Sequence, residues 1–147
     1  MPKYWEDYQV GEKFVTPART VSEGMIDVVT GLGGLTAPLF WDEEKAKKGV
    51  FKTRIAPAVV TLLVMSGLNE QSDFLDPETL IALIGMNNVK IITPVKAGDT
   101  LRVEGELIEK KETKNPERGI LVERHVCKNQ RGEVVIETDK IRLIKRK

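Results

Sequence analysis

A chain of 147 residues carrying 23 Lys and Arg against 22 Asp and Glu has a net charge of +1, so its overall field draws no partner from a distance. One Cys and one His exclude a disulfide framework and a Cys/His zinc cluster built from a single chain, and they fit a reducing, cytoplasmic setting. Hydrophobic content of 41% suits one domain over residues 1–147, with enough chain to bury a core.

The opening "MPKYWEDYQ" has no basic segment leading into an apolar run, so it does not read as a signal peptide. "VGEKFVTPART" predicts a first strand. In "TVSEGMIDVVTGLGG", Thr20 and Glu23 have capping-box spacing and Ser22 competes as N-cap, so a short helix follows, stopped by its glycines. Asp42 caps a second short helix over "DEEKAKKG", with acids in its first turn and lysines in its last. "APAVVTLLVMSGLNEQ" predicts the third helix, with Pro57 at its first position. Its apolar residues keep to no single stripe, which predicts burial nearly all round. The longest strongly apolar run, Ile55–Leu68, is too short to span a bilayer, so no membrane segment is expected.

Past "DFLDPET" the period becomes two. "LIALIGMNNVKIITPV", "DTLRVEGELIEKKE", "GILVERHVCKN" and "EVVIETDKIRLIKRK" predict four long strands, joined through "KAGD", "TKNPERG" and "NQRG". A helical half followed by an antiparallel meander predicts an α+β fold, a curved sheet wrapped around the central helix. The basic end "IRLIKRK" continues a strand alternation and reads as a solvated strand end, not as a nucleic-acid site.

The order and wording of these pieces resemble the MaoC-like dehydratases, a family with the hot-dog fold that includes the (R)-specific enoyl-CoA hydratases. "YWEDYQVGEKFVTPARTVSE" is similar to the family's opening, "PLFWDEEKAKK" to its hydratase segment and "RIAPAVVTLLVMSGL" to its central helix. "ITPVKAGDTLRV" and "NQRGEVV" resemble its later strand junction and hairpin. The resemblance implies addition of water to a trans-2-enoyl thioester, or its removal from a 3-hydroxyacyl thioester. It implies no cofactor; a thioester of coenzyme A or of an acyl carrier protein is the ligand or substrate. It also implies a homodimer, or a heterodimer with a catalytic subunit.

In the family an Asp serves as base on the water and a His exchanges the proton at the adjacent carbon, within a motif close to Gly-Asp-x-Asn-Pro-Leu-His-x-Asp. Laid from Pro38, that motif puts Leu35 at the Asp, Ala37 at the Asn and Phe40 at the His; Asp42 matches the last position. Laid from Thr30-Gly31, the Asp position becomes Leu32. From Val28 to Trp41 there is no Asp, Glu, His, Lys or Arg, so neither register supplies a group that moves a proton.

The rest of the family's site has counterparts. Gly31, Gly33 and Gly34 permit close backbone approach to an acyl chain. The His-Gly pair that polarises the thioester carbonyl reads Pro57-Ala58, and Ser66 matches a serine that lines the site. Two substitutes for the missing acid and base are considered. Asp27 lies on the first helix, and His125 lies two residues from Cys127 on one strand face. A solvated helix acid and a strand histidine beside a buried thiol are the plainer readings. Three functions follow: a non-catalytic acyl-thioester binder or partner subunit, an active hydratase or dehydratase using substitute or partner residues, and an acyl-CoA thioesterase. The third is disfavoured because the central helix holds no acid before Glu70.

Overall fold

The computed structural model describes all 147 residues. Its framework is one antiparallel sheet of β1 (Lys13–Val15), β2 (Arg19–Thr20), β3 (Leu80–Ile91), β4 (Thr100–Glu112), β5 (Arg118–Lys128) and β6 (Val134–Lys145). The order is β1-β4-β5-β6-β3, with β2 also on β4. β4, β5 and β6 form the expected meander. β3 departs from it: instead of pairing with its successor β4 it crosses to the far side and pairs with β6. The crossing leaves β3 as one edge of the sheet. The sheet curves around α4 (Ala58–Glu70), and this is the hot-dog fold.

Period-two burial explains which face meets the helix. Leu101, Val103 and Leu107 on β4, Cys127 and Leu121 on β5, and Ile136 and Ile144 on β6 are all buried. Val60, Val64, Met65 and Leu68 of α4 pack on the end of this face that holds Val103, Cys127 and Ile136. Tyr8 and Phe74 cover the other end with Leu107, Leu121 and Ile144.

Polar side chains separate the two apolar clusters. Glu123, His125, Lys140 and Arg142 are all buried on the same sheet face, with Glu123 directly opposite Lys140 in the β5–β6 register. His125 Nε2 lies 2.7 Å from Glu123 Oε2, and Arg142 Nε lies 3.9 Å from the same oxygen. Lys140 is 1% exposed, yet no carboxylate comes within 4.0 Å of its ammonium group. Burial first, and then Arg142 beside it, push the Lys140 pKa down to about 8.

Two glycines let the N-terminal segment seat on the sheet. A Cβ on Gly105 would fall 2.0 Å from the Phe14 ring, and one on Gly119 would fall 2.4 Å from the Trp5 indole. Phe14 stacks on Phe74 at 4.3 Å and meets His125 edge-on at 5.5 Å.

Three further α-helices, α1 (Glu23–Gly33), α2 (Pro38–Trp41) and α3 (Glu43–Ala46), and one 3-10 turn at Trp5–Asp7 complete the chain. Ser22, not Thr20, caps α1 by accepting from the Met25 N–H at 3.1 Å. Pro57 is the N-cap of α4 and not its first residue. The expectation that α4 is buried nearly all round needs correction. Its inner face is covered, but Val59 and Leu63 remain 49% and 59% exposed, because no element of the protomer lies over that side. The basic C-terminus is consumed in ion pairs, Arg146 with Glu6 and Glu112 and Lys147 with Asp7.

Candidate functional site

The N-terminus of α4 is fastened on two sides. Ile55 N–H donates to the Leu39 carbonyl at 2.9 Å, and Ala56 N–H donates to Val95 at 2.7 Å. Pro57, at φ −55° and ψ 147°, turns the chain into the helix and offers no side-chain cap. Val60 N–H reaches the Pro57 carbonyl, whereas the Ala58 and Val59 N–H groups find no acceptor in the chain. These are orphan donors of a 13-residue helix, at the end where its dipole is positive.

Ala58 borders a cavity of about 270 Å³, walled by Leu39 and Phe40 of α2, Phe51, Ile55, Thr61 and Ile92, among others. None of its 14 lining residues carries a titratable side chain. Its one free polar side chain is Thr61, one turn beyond Ala58, whose hydroxyl makes no hydrogen bond within the chain; Thr93 spends its own on the Val134 carbonyl at 2.7 Å. Sequence comparison overlooked Thr61. The available signal was its spacing, since i and i+3 from Ala58 share a helix face.

Phe40 and Ala58 of the expected site therefore border one cavity, with Pro57 buried beside it. Gly34, Leu35 and Ser66 lie outside its lining. Gly34 caps α1 in the left-handed region at φ 65°, and Leu35 N–H turns back to the Thr30 carbonyl at 2.9 Å. Ser66 is exposed on the outer side of α4 and donates to the Leu62 carbonyl at 2.9 Å.

The two substitute groups are engaged elsewhere. Asp27 pairs with Arg54 at 3.0 Å, and Arg54 also holds Glu43 at 3.3 Å and Glu23 at 3.7 Å. Arg54 thus clamps α1, α3 and the lead-in to α4. The Thr53 hydroxyl and the Arg54 backbone N–H hold the Glu43 carboxyl below the usual range. Asp42 is spent capping α3, accepting from Lys45 N–H at 3.1 Å. His125 is wholly buried in the core and bonded to Glu123, and burial pulls its pKa below the ordinary imidazole value. Burial also pushes the Cys127 thiol up to about 12, which removes the thiolate that a Cys–His mechanism needs.

The fold and cavity define a hot-dog protomer with an apolar pocket at the donor-rich end of its central helix. The family model for the MaoC like domain matches residues 7–129, and the chain belongs to that family. It is 32% identical to an uncharacterised protein, YdeM, of Bacillus subtilis over 143 residues, covering 96% of this chain and 98% of that one. It is 33% identical to Protein MaoC of Klebsiella aerogenes over 103 residues, covering 69% of this chain but only 29% of that much longer protein. Among solved structures, a monoamine oxidase regulatory protein from Archaeoglobus fulgidus superposes with a TM-score of 0.92 at 34% identity, covering 99% of this chain and 96% of that one. No helix is long and apolar enough to cross a membrane.

Proposed function

We propose that this chain is a non-catalytic MaoC-like protomer that binds an acyl thioester in the cavity at the start of α4 and does not hydrate it. The carrying observation is a pocket without an acid or a base, while Asp27 and Glu43 are locked in the Arg54 clamp, Asp42 is spent on a helix cap and the sole imidazole lies in the core. The thioester carbonyl would accept from the Ala58 N–H, with Thr61 as a second donor, and the acyl chain would lie among Phe40, Ile55 and Ile92. Each methylene buried there contributes about 0.8 kcal/mol. Hydrolysis is disfavoured as well. The first acid of α4 is Glu70, about 18 Å of helix away from Ala58.

Protomers pair through the β3 edge, where Leu83, Ile84, Val89 and Ile91 are exposed, together with the open side of α4. A catalytic partner subunit that lends an acid and a base across this edge is the second reading, and the uncovered apolar strand is the observation in its favour. The test is calorimetric titration with an acyl-CoA series. Affinity should rise with chain length and no hydrated product should appear. Absence of binding, or affinity indifferent to chain length, would leave a purely structural role.

A further inference from the structure

His125 and Phe14 meet across β4. Phe14 pairs with Gly105 and Gly105 pairs with His125, so the glycine gap that seats the Phe14 ring lies directly beside the imidazole, with the ring centroids 5.5 Å apart. The imidazole is wholly buried, and its one hydrogen bond joins Nε2 to the Glu123 carboxylate at 2.7 Å. Nε2 must donate there, which leaves Nδ1 to take a second proton, and Nδ1 has no partner in the fold. The Phe14 ring that covers this side is half-buried, on a three-residue strand whose other members, Lys13 and Val15, are exposed.

The groups around the ring do not answer a second charge. On β5 it has Glu123 and the Cys127 thiol, which burial keeps protonated. On β6 it faces Thr138, Lys140 and Arg142, while Asp139 is tied to Arg124 at 3.0 Å on the other face of the sheet. β4 contributes only Val103 and Leu107 beside Gly105, and its Glu104 and Glu106 alternate to the far face. Tyr8 and Phe74 close the N-terminal side, and Glu70 of α4 acts on Lys140. Glu123 is thus the single carboxylate on the buried face against Lys140 and Arg142, and a protonated His125 would set three cations against it. Burial pulls the imidazole below its ordinary value; Glu123 opposes that, and Lys140 and Arg142 add to it.

We propose that His125 is an acid latch on the N-terminal segment: Nδ1 holds a proton only when Phe14 leaves its seat and admits water, so mild acid frees β1 from β4. Freed, β1 bares the β4 edge from Glu104 to Glu106. In the opened segment the imidazole titrates at about 6.5, and in the closed form it titrates lower. The seat is therefore unaffected above about pH 6.5 and weakens as pH falls below it. One proton raises the open population about tenfold per pH unit until the closed-form value is reached. Ion pairs that tie down the same segment hold through this window. At Glu6, burial is outweighed by Arg146 and the Lys147 N–H, and Lys147 holds Asp7, so both carboxyls stay below the usual carboxylate range.

The test is amide hydrogen exchange on the full chain across mildly acidic to neutral pH, corrected for the intrinsic exchange chemistry. The Gly11, Thr16, Val103 and Leu107 amides make the bonds that join the segment to β4. Their protection should fall about tenfold per pH unit below about pH 6.5, while amides of the β5–β6 ladder keep theirs. His125→Gln keeps a donor for Glu123 and cannot take the proton, so its protection should be flat. The chain has one His, so its imidazole resonance is unambiguous and supplies a second readout. Phe14→Ala opens the seat and should bring the imidazole titration up toward its ordinary value. Flat protection in the parent, a slope that survives in His125→Gln, or ladder amides lost in step with those of β1 would each overturn the proposal. So would an imidazole titration that Phe14→Ala leaves unmoved.

Discussion

Replacing Lys140 by Met should stabilise the protein. The ammonium group is buried among Glu123, His125 and Arg142, faces them from the middle of β6, and has no carboxylate in contact. Its pKa is pushed down to about 8 from an ordinary 10.5. That shift corresponds to about 3 kcal/mol of penalty when the side chain is charged in the fold. The sign follows from proton counting. Between about pH 8 and 10.5 the unfolded chain holds the lysine proton and the folded chain does not, so stability gains as pH rises through that window. Below it the penalty is complete. Met fills a similar volume and carries no charge, so the variant should gain about 2–3 kcal/mol at pH 7 and show no such rise. Urea unfolding at equal protomer concentration, at pH 7 and at pH 10, reads both effects; at pH 7 the midpoint should move by about 1 M or more. The difference between parent and variant is the quantity to follow, because burial raises the Tyr8 phenol and gives an opposing slope at alkaline pH. A variant no more stable than its parent at pH 7, or a gap that has not shrunk by more than half at pH 10, would refute the account.

Purified alone, the protein should leave crotonyl-CoA unhydrated, since each missing acid or base removes about 10²–10⁴-fold of rate; turnover at an ordinary family rate, followed by loss of enoyl absorbance, would overturn the non-catalytic reading. Ala58→Pro removes the orphan N–H while keeping a residue the first turn tolerates, and should weaken octanoyl-CoA binding about 5- to 10-fold without lowering the thermal midpoint. Sedimentation should give a dimer burying more than about 1,000 Å², and Ile84→Lys on the β3 edge should shift it toward monomer. Gly105→Ala should lower stability by about 2 kcal/mol or more, because its methyl would overlap the Phe14 ring at 2.0 Å.

How much of this is written in the sequence depends on whether the determinant is local. The period-two runs placed β4, β5 and β6 within a residue or two, and Asp42 announced its cap. Which strand neighbours β3 was not legible, because alternation sets the face a side chain points to and is silent about the partner across the ladder. Likewise, an apolar residue such as Leu63 has the same letter whether its own protomer or another molecule covers it. The missing acid and base could be read directly from Val28–Trp41. The engagement of Asp27 and His125 could not: Arg54 lies 27 residues from the former, and the latter chooses Glu123 over Cys127 only through side-chain geometry.

The seat of Phe14 on Gly105 also imposes a timetable on synthesis. The ring belongs to the first tenth of the chain, and its slot is not made until β4 emerges about ninety residues later. At about 5–20 residues per second, that interval is roughly 5–18 s. Trp5 waits longer still, for Gly119. Through that time the N-terminal aromatics have no sheet to seat on, and Phe74 alone offers Phe14 and Tyr8 an aromatic partner, so this early segment is fastened late. A ribosome-bound chain halted before β4 should therefore show Trp5 in a solvent-exposed, readily quenched environment, and release past β5 should protect it.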